Sequence, residues 1–489
     1  MHLIAAAVSP SLDWWPFAVL LFSMALIVFL ITVLRVHAFL ALILAAFAAG
    51  LLARTLPGEP ATSHWVQAVE LTTSEFGVTA GKISVVIALA SVIGMCLMES
   101  GAADKVVRRF LAIFGERRAG TAILVSGYII SIPIFFDTFF MLLLPLARAM
   151  AFRTGKNYLL FVMAICCGGS VTHSLCVPHP GPLAMAEALK VDLGLSIIVG
   201  VLVGIIPASV SWLVANWLNR RMTIPLRETA GASLEDLRAI VTQREEELPS
   251  FFWSITPVIL PILLISLASF FDAAVKRPEA FASLITALGG LDGFKLIARW
   301  VEFIGNRNVA LLIGTVVAVG VLMRQRGLTI ARVCEMIGPP FETAGVIILI
   351  TSAGGAFGLM LRNAGVGEAI KGAAAGHEVN LILLSWLVAS VIRLAQGSAT
   401  VAMLTTSAMV YPIMASDAGI PYHPLYIFMA IGFGAMTLSW MNDSGFWVVG
   451  RLSGFTEKET LKSWTVIVTV NSVVGMLVCL VGSKLLPFA

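Results

Sequence analysis

Charge is scarce in this chain. Only 12% of its 489 residues are Asp, Glu, Lys or Arg, whereas a soluble globular domain carries about 25%. A water-facing surface cannot be assembled from so little charge, and the soluble classes are excluded. Clusters of one sign are missing too. The 32 basic and 28 acidic residues are dispersed through short loops, which leaves no basic face for nucleic acid. Cysteine is sparse and irregular: Cys96, Cys166, Cys167, Cys176, Cys334 and Cys479 all read as lying in apolar surroundings, at spacings that suggest neither a disulfide framework nor a zinc ribbon. The opening MHLIAAAVSPSLDWWP lacks a basic segment, and the apolar run after it is too long for a signal-peptide core. A retained first helix is therefore expected.

Apolar residues fill the chain instead, at 58% of the sequence and a mean hydropathy of +0.95. A spanning helix needs about 20 of them. Runs of that kind cover 17–34, 36–53, 83–98, 158–189, 195–218, 251–271, 309–323, 341–361, 425–449 and 464–486. Two more, 119–150 and 381–414, are long enough for two half-spans each but are interrupted at SIPIFFDTFF and RLAQGSATVA. The runs at 158–189 and 425–449 are also broken, at SVTHSLCVPHPGP and SWMNDSGFW. The fold expected is an all-α polytopic membrane protein in a lipid bilayer. Its one long polar stretch, 219–250, reads as a cytoplasmic amphipathic linker, and 233–247 and 291–303 read as solvated or interfacial helices. Trp14, Trp15, Trp65, Trp300 and Trp464 lie at span ends and read as an aromatic belt.

The two halves of the chain match one another. At an offset of 264 residues GMCLMESGAAD from Gly94 lies over GLMLRNAGVGE from Gly358, and the run from His179 to Gly181 lies over that from Asp443 to Gly445. The same ungapped offset superposes both interrupted hairpins and both broken helices. Two repeats are expected, 17–218 and 251–486, each holding three helices, a re-entrant hairpin, a broken helix and a closing helix. Each repeat then crosses the bilayer an odd number of times, so the second enters from the opposite face and the topology is inverted. With the N-terminus periplasmic, 20 of the 32 basic residues fall in inner loops, 11 fall outside, and Arg393 alone lies in the membrane. The excess inside is what the positive-inside rule requires.

Unwound backbone at membrane depth persists only where it is buried in protein or lines a wet cavity. Four such breaks at matched positions of inverted halves point to a midplane site where half-helix N-termini face an anion. The first broken helix offers Ser170, Thr172, His173, His179 and Gly181, with Pro178, Pro180 and Pro182 barring a continuous helix. Its hydroxyls and freed carbonyls suit a polyol; a kinked helix whose histidines satisfy stray carbonyls is the plainer reading. His173, Cys176 and His179 do not have the spacing of common zinc sites, and neither metal nor cofactor is expected. The second broken helix offers Asn442, Asp443, Ser444 and Gly445. An acid inside a span costs about 2.5–3.5 kcal/mol to insert, so Asp443 either lines a site or caps the following half-helix. At the second hairpin tip Gly397, Ser398 and Thr400 allow backbone to approach a ligand closely. Arg393 just before them either pairs a carboxylate bidentately, or snorkels to an interface or is fixed to Asp443 or Asp137. Asp137, at the first tip, stands among four phenylalanines; an apolar shell favours its neutral form, as a proton carrier needs.

With these motifs on the page, the sequence resembles the gluconate permease (gluconate/proton symporter) family of the ion-transporter superfamily. The stretches that carry the resemblance are FFDTFFMLLLPL, GGSVTHSLCVPHPGPLA, IRLAQGSATVA and MNDSGFW followed by ETLKSW, in matching order across nearly the whole chain. The resemblance implies a bacterial inner-membrane symporter, not an enzyme, that takes up gluconate or a related sugar acid with a proton. It also implies a homodimer working by an elevator-like movement. On this reading Asp137 handles the proton, and Ser170, Thr172, His173, Gly181, His179, Arg393, Gly397, Ser398, Thr400, Asn442, Asp443, Ser444 and Gly445 surround the anion. Family members often carry Glu at Asp137 and His at Trp440; the second departure is expected to alter the wall of the site. A sodium-coupled anion symporter of similar fold is the nearest alternative, since hydroxyls and carbonyls also suit a hard cation, and an intramembrane metal-dependent enzyme using His173 and His179 is a remote one.

Overall fold

The computed structural model describes residues 13–57, 62–115, 118–132, 134, 136–227, 247–276, 278–279, 281–288, 290–366, 369, 380–416, 420–441 and 443–487. Among the described residues every regular element is a helix. The first half runs α1 (Trp15–Thr32), α2 (Ala38–Leu52), α3 (His64–Glu99), α4 (Ala102–Phe114), α5 (Ala119–Ile130), α6 (Phe136–Thr154), α7 (Tyr158–Leu175), α8 (Pro180–Leu189) and α9 (Leu193–Arg221). The second half runs α10 (Phe251–Lys276), α11 (Ala282–Ala287), α12 (Gly290–Ile304), α13 (Arg307–Arg326), α14 (Ile330–Met336) and α15 (Gly338–Asn363). It closes with α16 (Leu381–Gln396), α17 (Ala399–Ser416), α18 (Leu425–Gly434), α19 (Ser444–Ser453) and α20 (Glu457–Leu485). Among the described residues seven helical spans are long and apolar enough to cross a membrane, so the chain is a multi-pass membrane protein.

Local chemistry sets the breaks. Pro180 and Pro182 sit in the first turn of α8, where a helix needs no amide hydrogen, so they start the half-helix and confine the break to 176–179. Gly397 ends α16 at φ +75, a left-handed position that costs glycine nothing. Asp192 opens α9 by accepting from the Leu195 amide at 2.7 Å, and Thr456 with Glu459 forms a reciprocal capping box on α20. Both hairpin breaks fall where the sequence places them. The second broken helix unwinds earlier than its SWMNDSGFW motif, from Ala435 onward, with Leu438 at φ +46.

Three expectations need correcting. Helix α3 is 36 residues long and begins near residue 64, not 83; Glu70, Glu75 and Lys82 dilute its first half below the apolar threshold. Cys334 is exposed, whereas the other five cysteines are buried. Trp464 is not part of a belt: it is 4% exposed, in contrast to the exposed Trp14, Trp15, Trp65 and Trp300. Residues 233–246 of the expected helix and Asn442 lie outside the described residues.

Packing relates the halves to each other. The long helices α3 and α15 lie together, as do the closing helices α9 and α20. Hairpin helix α6 packs against half-helix α19, and hairpin helix α17 packs against half-helix α8. Helices α19 and α20 start and stop 264 residues after α8 and α9, at every one of the four bounds.

Candidate functional site

The hairpin helices and half-helices meet around a central cavity of about 280 Å³. Its wall includes the opening residues of four helices: Phe136 and Asp137 of α6, Pro180 of α8, Ala399 and Thr400 of α17, and Ser444 and Gly445 of α19. Each helix N-terminus carries a partial charge of about +0.5 and unpaired amide donors. Four of them aimed at one volume make a site for an anion. The first broken helix adds Ser170, His173 and Ser174, and Arg393, Ser398 and Asp443 complete the polar wall. From α15 the described lining includes Ile347 and Ile350, both apolar.

Of the residues singled out in the sequence, Asp137, Ser170, His173, Arg393, Ser398, Thr400, Asp443, Ser444 and Gly445 line this cavity. Thr172, His179, Gly181 and Gly397 do not, and each has a supporting contact. The Thr172 hydroxyl lies 2.5 Å from that of Ser131 at the first hairpin tip, and His179 Nε2 bonds the Ser131 carbonyl at 2.7 Å. Gly181 leaves room for Met403, whose Cε would lie 2.3 Å from any added Cβ. The Gly397 carbonyl accepts a hydrogen bond from Arg393 Nη1.

Arg393 and Asp443 are both 5% exposed and form an ion pair through Nη2 and Oδ2. Of the readings open for Arg393, the structure contains the fixed pair with Asp443. Both alternatives for Asp443 coexist, since it lines the cavity and caps α19, accepting from the Gly445 amide at 3.1 Å. Ser439 donates to Asp443 Oδ2 and accepts from Trp464 Nε1 at 2.6 Å, so the ion pair ends in a buried polar chain. His173 is half-buried, packs edge-on to His179 and Phe136, and has a buried Nδ1 with no hydrogen-bond partner among the described residues.

Two findings differ from the sequence reading. Asp137 is exposed to the cavity rather than enclosed, because Phe139 and Phe140 turn into the helical core and leave its carboxyl on the open side of α6. Trp440 is not part of the cavity wall; its indole donates to the Leu394 carbonyl at 3.1 Å on the outer side of α16. Sequence reasoning also missed contributors. Trp464 forms a wall with Phe136, ring centroids 5.1 Å apart, and Asn471 Nδ2 donates to Ser170 Oγ at 3.0 Å. Both lie on α20, whose long apolar run gives no local sign of them.

The family model described as GntP family permease matches residues 15–485. The chain belongs to that family. Curated relatives of this permease include the gluconate permease of Pseudomonas aeruginosa, 32% identical over 94% of this chain and 96% of the relative. The low-affinity gluconate transporter of Escherichia coli K12 is 31% identical, covering 95% and 97%. The Gnt-II system L-idonate transporter of the same organism is 30% identical, covering 94% and 98%. Among solved structures, the permease shares its fold with MtrF of Neisseria gonorrhoeae at a TM-score of 0.59 and 16% identity, over 95% of this chain and 98% of that one. Membership makes the protein a membrane transporter and not an enzyme.

Proposed function

We propose that the permease imports gluconate or a closely related sugar acid together with a proton across the bacterial inner membrane. The observation that carries this reading is the convergence of four half-helix N-termini on one cavity that also presents hydroxyls. The N-termini suit a carboxylate, and Ser170, Ser398, Thr400 and Ser444 suit the hydroxyls of its chain. The names of the relatives, gluconate permease and L-idonate transporter, agree in substrate class.

Charge arithmetic supports the proton. Arg393 and Asp443 neutralise each other, which leaves Asp137 as the one uncompensated ionisable acid in the cavity wall. As a carboxylate it draws on the same positive helix ends as the substrate and repels it. Once protonated it does neither, so anion and proton favour each other's binding. The lining supports the movement. The polar wall belongs to the hairpin helices, the broken helices and α20, and among the described residues α15 contributes only Ile347 and Ile350. A body that carries its whole polar site past an apolar partner breaks no polar contact as it slides.

In this account residues 17–218 and 251–486 form two inverted repeats joined by a cytoplasmic linker at 219–250, with the N-terminus periplasmic and two copies per assembly. The exchanged packing of α6 on α19 and α17 on α8 supports the pseudo-twofold relation. The test is uptake of labelled gluconate into proteoliposomes in sodium-free buffer with an imposed inward pH gradient. Accumulation that collapses with the gradient is expected. Uptake that requires sodium overturns the proton assignment, and failure to exchange gluconate at all overturns the substrate class.

A further inference from the structure

A second cavity, of about 160 Å³, lies between α3, α8, α15 and α17, and none of its wall belongs to the first. Its charged lining is Lys82, Lys190 and Arg362 against Glu75 and Glu187. Glu187 is committed to an ion pair with Arg307, and Lys190 stands over the Tyr411 ring at 5.3 Å. Among the described residues Lys82 and Arg362 have neither an ion-pair nor a hydrogen-bond partner. The cavity therefore holds a positive excess in which Lys82 and Arg362 outnumber the one uncommitted acid of the described lining, Glu75, in a wall otherwise rich in glycine and alanine.

Both cavities open on one face of α15. Ile347, Ile350, Gly354 and Gly358 recur at steps of three and four residues, which places them in one row along the helix. From Ile350 to Arg362 that row spans about 18 Å at 1.5 Å per residue. Along its glycine stretch α17 lies directly on α15: a Cβ at Gly354 would be 3.0 Å from Leu404 Cβ, and one at Gly358 would be 2.4 Å from Ala408 Cβ.

We propose that this second cavity is a separate binding site for the same small hydroxy-carboxylate, held by Lys82 and Arg362 at the periplasmic end of the α15 row. An anion arriving from outside is captured there before it reaches the half-helix N-termini. The proposal rests on the transport reading above.

The test is the KM for gluconate uptake by the full chain in proteoliposomes, at low and high ionic strength, in wild type, K82Q/R362Q and K82R/R362K. Removing both cations is expected to raise KM about tenfold at low ionic strength and to abolish its dependence on salt. The charge-keeping pair K82R/R362K is expected to stay near wild type, which separates loss of charge from damage to the fold. A KM and a salt response in K82Q/R362Q within about twofold of wild type would overturn the second site alone. No gluconate uptake by the wild-type chain would instead overturn the transport reading, and this proposal with it.

Discussion

The two broken helices solve one problem in two ways. Each must hold its unwound segment against the tip of its own hairpin. In the first half His179 does this with a neutral hydrogen bond to the Ser131 carbonyl, 2.7 Å long, and Thr172 adds a hydroxyl contact to Ser131 at 2.5 Å. In the second half Asp443, the residue 264 positions after His179, does it with a buried ion pair to Arg393, which also binds the Gly397 carbonyl. The first lock faces away from the cavity and the second lines it. The charge of the second is cancelled within the lock, whereas the first leaves Asp137 free beside the cavity. Matched elements of the two halves thus divide the labour: one tip is electrically closed and the other carries the titratable group.

The comparison is broken most severely by removing half of the ion pair. Asp443→Asn leaves Arg393 as an uncompensated buried cation, a defect that costs about 3–5 kcal/mol. The expected result is a large fall in thermal stability of the detergent-purified protein and loss of transport. Arg393→Lys keeps the charge but cannot span Asp443 and the Gly397 carbonyl together. It should lose about 1.5–3 kcal/mol, the worth of a charged hydrogen bond, visible as an intermediate stability loss and weakened gluconate affinity. His179→Phe preserves bulk and removes a neutral donor, for a loss of about 1–2 kcal/mol with substrate affinity nearly intact. If His179→Phe proves as damaging as Asp443→Asn, the two locks are not different in kind. Trp440→His changes a position outside the cavity wall; gluconate KM is expected to change by less than about twofold, since one exposed hydrogen bond is exchanged.

What was legible in the sequence was the punctuation. Proline and glycine act on the backbone itself, so the tips near Asp137 and Gly397 and the break before Pro180 could be placed without knowing any tertiary contact. Facing could not be read. Thr172 and His173 are neighbours in sequence, yet successive residues on a helix point about 100° apart. Thr172 meets the hairpin while His173 meets the cavity. The same limit hid Trp464 and Asn471, which reach the site from a closing helix that reads as an ordinary span, and Ile347 and Ile350, which differ from lipid-facing residues only in what they oppose. The exposure of Asp137 escaped for a related reason. Its phenylalanine neighbours suggested enclosure, but helical geometry sends Phe139 and Phe140 to another side.

The central claim is that a proton on Asp137 travels with the sugar acid. The most direct measurement is of internal pH in proteoliposomes loaded with a pH-sensitive dye, on adding external gluconate with no gradient imposed. The wild-type permease is expected to acidify the lumen as gluconate enters. Asp137→Asn is expected to exchange labelled gluconate between preloaded and external pools while leaving internal pH unmoved. Acidification by Asp137→Asn at the wild-type rate would contradict the account.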